Sequence, residues 1–330
     1  MTSIKDVADA AGVSTATVSR VLTDKPHVRP EIRDRVLAIV ENLNYRPNRV
    51  ARSLRVQKSN IIGLIVSDIQ NPFFTAVSRA VEDMAYEHQM SVFLCNTDEN
   101  PKKEAMYLGL MRDENVAGVI LSPTRQTADS FAATASLNIP MVVIDRRVND
   151  VEIDSVILDS IEAAYRIVSH LLADGHRRIG AMFGVGSTTG RERREGYVRA
   201  LKEYGLKPLS ELVSYVNARE EEGYSTTKRL LSLTEPPDAI FTSNALLSAG
   251  AFRALRESEL AIPDEIAFAS FDETTWTTLV EPPVTVIEQP TYEIGQTATE
   301  LLLKRIEEPT RPTRKVILKG RLIIRQSCGC

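Results

Sequence analysis

From residue 61 onward, short apolar runs alternate with longer segments of helical period, and this alternation limits the fold more than any other feature of the chain. The runs are Ile61–Val66, Met90–Cys95, Val116–Leu121, Met141–Asp145, Arg178–Phe183, Ala239–Ser243 and Ile266–Phe271. Their length is that of strands, whereas segments such as Phe73–His88 and Leu246–Ser258 repeat their apolar residues every three or four positions, as helices do. Strand–helix alternation over this length predicts parallel sheets covered by helices. Residues 61–330 suffice for two doubly wound α/β subdomains with a cleft between them. In such sheets a ligand sits at the carboxyl ends of the strands.

The residues expected at those ends are polar or aromatic. Asn71, Phe73 and Phe74 follow the first run, Asp145 and Arg146 end the fourth, and Arg191, Glu192 and Arg193 open a helix after the fifth. Asn244 follows Ala239–Ser243, Phe271 and Asp272 close Ile266–Asp272, and Gln289 ends Val284–Gln289. Carboxylates and amides pair with adjacent hydroxyls, arginines offer bidentate donors, and aromatic faces pack on C–H surfaces. The set suits a neutral polyhydroxylated ligand, with a nucleobase or another non-sugar metabolite as the alternative.

The first sixty residues differ. Residues 1–58 carry 11 Lys and Arg against 6 Asp and Glu, while the remainder carries 29 against 38. A basic segment on an acidic body suggests a polyanion-binding head. Ile4, Val7, Ala8 and Ala11 have helical spacing, Gly12 supplies a turn, and Ser14 can cap a second helix over 15–22. That helix buries Val18, Val21 and Leu22 and presents Thr15, Ala16, Thr17 and Arg20. A third helix is expected over about 30–43, with Pro30 in its first turn and Ile32, Val36, Ile39, Val40 and Leu43 inward. This is the helix-turn-helix pattern. Beyond Pro47, Asn48 can cap a short arginine-rich segment (Arg49, Arg52, Arg55) that contains an exposed Leu54.

The stretches Ile4–Leu22 and Asn44–Arg55 resemble those of the lactose/galactose repressor (LacI/GalR) family. The resemblance implies that Ser14, Thr15, Ala16, Thr17 and Arg20 serve major-groove reading. It also implies a hinge helix in which Asn48 and Arg52 attend the minor groove and Leu54 wedges between base pairs. Arg29 stands where family members usually carry a capping serine. The core resembles the family's regulatory domain and ribose-type periplasmic binding proteins, through Asn71–Phe74, Asp145–Arg146, Arg191–Tyr197, Asn244, Phe271–Asp272 and Gln289. It implies a periplasmic-binding-protein type I-like core and a small monosaccharide effector, although Ala245 and Ser160 depart from common family residues. Expected boundaries are 1–46 for the head, 47–60 for the hinge and 61–330 for the core. Within the core, 61–160 with 290–320 form one subdomain and 161–289 with 321–330 the other.

The expected activity is that of a homodimeric repressor on a near-palindromic operator, switched by its effector. An enzyme is not expected. The glycines at 184, 186 and 190 have neither dinucleotide-fold nor P-loop spacing, and no catalytic constellation is recognisable. No cofactor is expected. Cys95 reads as a buried strand residue, and the tail pair Cys328 and Cys330 reads as having no metal role, because none of the four histidines shows ligand spacing. The absence of a long apolar run, together with the charged start, points to the cytoplasm.

Overall fold

The computed structural model describes residues 2–22, 26, 28–45 and 59–329, and it divides into two units, 1–59 and 60–330. In the first, α1 (Ile4–Ala11) starts at a capping box, with the Asp6 amide donating to Ser3 Oγ and the Ser3 amide to Asp6 Oδ2. Gly12 ends α1 in the left-handed region at φ 63°, which turns the chain into α2 (Thr15–Leu22). Ser14 Oγ accepts from the Thr17 amide and so caps α2. The third helix, α3 (Pro30–Asn42), starts at Arg29, whose side chain makes no cap. Val7, Ala8, Ala11, Val18, Val21 and Val36 form the buried centre of the three helices. Leu43, expected inward, instead ends α3 and is 37% exposed, because the helical face that packs inward closes at Val40. The hinge positions Asn48, Arg52 and Leu54 lie outside the described residues.

The second unit contains two six-stranded sheets. The first is built from β1 (Ile61–Val66), β2 (Ser91–Asn96), β3 (Gly118–Leu121), β4 (Met141–Ile144), β5 (Asp154–Leu158) and β11 (Lys315–Leu318), in the spatial order β11-β5-β4-β3-β1-β2. All its pairings are parallel. The second contains β6 (Ile179–Gly184), β7 (Val213–Val216), β8 (Ala239–Thr242), β9 (Ala267–Phe271), β10 (Thr285–Glu288) and β12 (Arg321–Ile323), in the order β12-β10-β9-β8-β6-β7. Only β12 runs antiparallel in it. Strands β5 (DSVIL), β7 (VSYV) and β11 (KVIL) carry little sequence signal, because polar residues leave each with only three apolar positions.

Helices cover both faces of each sheet. Their chain order is α4 (Pro72–Glu87), α5 (Pro101–Asp113), α6 (Arg125–Asp129), α7 (Ala132–Ala135), α8 (Ser160–Ala173), α9 (Thr188–Glu203), α10 (Glu220–Leu231), α11 (Ala245–Glu257), α12 (Thr275–Leu279) and α13 (Thr291–Glu307). Val77 and Val81 of α4 and Ile294 and Leu302 of α13 pack on one face of the first sheet, and Leu108 and Met111 of α5 on the other. In the second sheet, α8 and α9 cover one face and α10 and α11 the opposite one. The chain passes between sheets after β5, after β10 and after β11. Asp154, buried at the start of β5, holds one passage in place by accepting from Arg305 Nε at 3.0 Å, Arg311 Nη2 at 2.6 Å and the Arg314 amide at 2.7 Å.

Strand β2 departs from the sequence expectation. It is an edge strand, so Phe93 and Leu94 remain 40% and 47% exposed and Cys95 is only half-buried. Apolar composition alone does not tell an edge strand that presents its side chains outward from one in the sheet interior. Among the described residues, no helix is long and apolar enough to cross a membrane.

Candidate functional site: the cleft between the two sheets

A cleft opens where the carboxyl ends of both sheets face one another. Its lining follows the topology strand by strand. Asp68, Asn71, Phe73 and Phe74 follow β1, Asp98 and Glu99 follow β2, Arg125 follows β3, and Asp145 and Arg146 follow β4. On the opposite wall Ser187 and Arg193 follow β6, Asn217 and Arg219 follow β7, Asn244 follows β8, Asp272 follows β9 and Gln289 follows β10. Crossover connections put every loop of this kind at the same sheet edge.

Two residues hold the same topological position in the two sheets. Asp145 follows β4 at φ 67°, and Asp272 follows β9 at φ 75°. A non-glycine residue in the left-handed region costs energy, and such residues gather at ligand sites. Asp272 is fully engaged: Oδ2 accepts from the Ala245 amide at 2.9 Å and Oδ1 from Gln289 Nε2 at 2.6 Å. Asp145 has only a 3.4 Å contact from Ser122 Oγ and a 3.5 Å approach from Arg146 Nε. Burial pushes the Asp145 carboxyl above the usual carboxylate range, against the pull of Arg146 and Arg193.

Arg193 lies in the first half of α9 and is almost completely buried. Its guanidinium stacks on the Phe271 ring, 4.0 Å from the centroid, and Nη1 donates to the Ser243 carbonyl at 2.5 Å. Burial lowers its pKa, opposed by Asp272 and Asp145. Its Nε is buried and makes no hydrogen bond. A buried donor without an acceptor costs roughly 1–3 kcal/mol, which a bound acceptor would recover.

Other side chains frame the site. Arg146 forms a bidentate pair with Glu99, and its Nη1 also donates to the Pro123 carbonyl at 2.7 Å. Burial would raise Glu99, but the arginine outweighs it and the net shift is downward. Asn71 and Asn244 cap α4 and α11 through their Oδ1 atoms, which leaves each NH₂ to offer. Phe73 and Phe74 meet edge to face with centroids 5.0 Å apart. Two arginines of the first half reach the second: Arg125 Nη1 donates to the Val185 carbonyl at 2.7 Å, and Arg147 Nε pairs with Glu192 at 2.5 Å. The glycine-rich loop after β6 serves packing, since a Cβ on Gly190 would stand 2.3 Å from the Gly184 carbonyl oxygen.

Of the expected ligand residues, Asn71, Phe73, Phe74, Asp145, Arg146, Arg193, Asn244, Asp272 and Gln289 all reach the cleft wall. Phe271 does not. It alternates with Asp272 along the strand and points into the core, where it is fully buried and carries Arg193. Asp68, Asp98, Glu99, Arg125, Asn217 and Arg219 are additional lining residues. Asp68 follows β1 by two residues, so the strand-end rule could have found it. Asp98 and Glu99 sit at φ 50° and 59° in a turn with no comparable sequence mark.

On the head, Ser14, Thr15, Ala16 and Arg20 are exposed and Thr17 is half-buried, so α2 presents these residues along one side.

Residues 59–326 match the family described as periplasmic binding proteins and sugar binding domain of LacI family, and residues 3–48 match bacterial regulatory proteins, lacI family. The chain is 37% identical over 328 residues to the ribose operon repressor of Halalkalibacterium halodurans, covering 99% of this chain and 97% of that one. It is 33% identical over 329 residues to the HTH-type transcriptional repressor PurR of Mannheimia succiniciproducens, covering 99% and 98%. The fold is similar to that of the lac repressor dimer bound to operator and the anti-inducer ONPF, with TM-score 0.88, 27% identity and 99% of each chain covered.

Proposed function

Because the chain belongs to the lacI family of bacterial regulatory proteins and is a DNA-binding transcriptional repressor, we propose that its cleft takes a neutral monosaccharide as effector, of pentose size. The observation that carries this is the buried Arg193, whose unpaired Nε lies in the wall that holds Asp272, with Asp145 on the facing wall. The cleft lining has five carboxylates, Asp68, Asp98, Glu99, Asp145 and Asp272, against four arginines, Arg125, Arg146, Arg193 and Arg219. That near balance gives a phosphate or carboxylate ligand no net attraction, whereas alternating donors and acceptors suit adjacent hydroxyls. The likeness to a ribose operon repressor supports the same choice.

The remaining parts follow as one switch. Residues 1–46 form the head, 47–60 the hinge and 61–330 the core. Ser14, Thr15, Ala16, Thr17 and Arg20 read operator bases, while Asn48, Arg52 and Leu54 act in the minor groove. Two copies bind a near-palindromic operator, with recognition helices about 34 Å apart. The exposed Phe93 and Leu94 on edge strand β2 support pairing of cores, since a second copy would cover them. The effector shifts a two-state equilibrium of the cleft, and the hinge responds. Such a repressor works in the cytoplasm.

The test is a thermal-shift screen of neutral pentoses, hexoses, nucleobases and sugar phosphates, repeated with operator DNA. A pentose or hexose as the strongest stabiliser supports the reading. A nucleobase or phosphate ester in that place overturns it.

A further inference from the structure

At the far end of the second sheet from the cleft, three side chains of different chemistry converge. His170 and Asp174 stand one turn apart on α8, and Cys328 belongs to a short 3₁₀ turn, Gln326–Cys328, near the end of the chain. His170 Nε2 lies 3.2 Å from Cys328 Sγ and 3.2 Å from Asp174 Oδ2, and all three ligand atoms fall within 4.8 Å of one another. The sequence spacing hides this, because 158 residues separate the histidine from the cysteine.

We propose that His170, Asp174 and Cys328 form a site for a zinc-class divalent cation. A thiolate, an imidazole and a carboxylate are the donor types zinc takes, with metal–ligand bonds of about 2.0–2.3 Å. In a tetrahedral site with such bonds, neighbouring nitrogen and sulfur atoms stand ~3.5 Å apart and nitrogen and oxygen ~3.4 Å apart. The observed 3.2 Å separations are within a few tenths of an ångström of those values. Without a cation, Nε2 carries at most one proton and faces a sulfur and a carboxylate oxygen at equal distance. A divalent ion accepts electron pairs from all three at once.

The protein also fixes the sulfur in place. Cys328 is fully buried, and Thr285 Oγ1 donates to its Sγ at 3.0 Å. The preceding Ser327 donates to the Phe268 carbonyl at 2.6 Å and accepts from the Thr285 amide at 2.8 Å. His176 Nε2 stands 3.3 Å from the Cys328 carbonyl oxygen. Such outer contacts hold ligands ready for a metal. Thr285 opens β10 and Phe268 lies in β9, the two strands whose other ends lead to Gln289 and Asp272. A bound cation would therefore tie the Gln326–Cys328 turn to α8 at the ends of β9 and β10 remote from the cleft, without touching the effector.

The experiment uses the full-length, metal-stripped, reduced protein titrated with Co²⁺ and then Zn²⁺. The expected result is a sulfur-to-cobalt charge-transfer band that saturates near one ion per chain and disappears as Zn²⁺ displaces it. His170→Gln and Cys328→Ser should each remove the band and weaken Zn²⁺ binding at least ~100-fold, while Cys95→Ser keeps it. Circular dichroism checks that each variant folds. If Cys328→Ser does not, His170→Gln decides alone, because its side chain is partly exposed. No band in the wild-type protein overturns the proposal, as does a band that survives His170→Gln. A band that survives Cys328→Ser but vanishes in Cys330→Ser would place the ion on the tail instead and equally overturn the site.

Discussion

The two walls of the cleft use the same device in different states of completion. In the second sheet, Asp272 leaves its strand in a left-handed conformation and finds two strong donors, Ala245 N–H and Gln289 Nε2. In the first, Asp145 leaves its strand in the same conformation and finds only long contacts. In the second wall the aspartate has its hydrogen bonds before any ligand arrives, and only Arg193 Nε is left to pair. The other holds a buried carboxylate whose hydrogen bonds remain to be made. A ligand that donates to Asp145 therefore stabilises the first half relative to its free state and gives closure a differential free energy, which any two-state switch requires.

The largest expected effect comes from removing the hydrogen-bonded aspartate. Asp272→Ala would leave Arg193 with one fewer carboxylate and strand the Gln289 amide and the Ala245 N–H. A loss of about 3–5 kcal/mol in urea unfolding is expected, together with loss of effector binding. A loss under ~1 kcal/mol would mean the two walls do not differ as described.

The next effect has the opposite sign in the free protein. Because burial raises the Asp145 pKa, the folded chain holds that proton more tightly than the unfolded chain, whose carboxyl titrates near its ordinary 3.8. This contribution is fully present below the unfolded value and is lost as pH rises through the raised folded value. Asp145→Asn keeps the shape without the charge. It should stabilise the free protein at neutral pH and flatten its stability profile above about pH 4, while weakening effector binding by roughly 1.5–3 kcal/mol. Unfolding curves across pH for both proteins give the comparison, and an unchanged slope would remove the distinction between Asp145 and Asp272.

The smallest effect concerns the contacts between the walls. Arg125 is partly exposed, and its bond to the Val185 carbonyl crosses the cleft. Arg125→Ala should cost about 0.5–1.5 kcal/mol of closure, seen in stopped-flow measurements as faster effector release with little change in association. Slower association at constant release would place Arg125 in ligand capture instead.

Much of this site could be read in the sequence because a strand's apolar run stops where its polar tip begins. Asp145, Asn244, Asp272 and Gln289 announce themselves in that way, and the sheet topology then brings them together. Phe271 shows the limit: its neighbour faces the cleft, so it must face the core, and only the alternation along β9 distinguishes the two. Glu99 and Arg125 lie in loops whose direction depends on where the next helix packs, which local pattern does not encode. Cys95 reads as buried because apolar character carries no information about sheet order, and β2 lies at the sheet edge. Leu43 falls one residue beyond the end of α3, where periodicity fades first.

The most direct test of the account is calorimetric titration of the full-length protein with ribose and then other neutral pentoses and hexoses, run in parallel on wild type, Asp145→Asn and Arg193→Ala, with operator gel shifts on the same preparations. The account predicts about one sugar bound per chain, affinity for that same sugar reduced at least tenfold by each substitution, and operator binding retained in both. Binding of the sugar that is indifferent to Asp145→Asn but lost in Arg193→Ala would contradict it, because only one wall of the cleft would then hold the ligand.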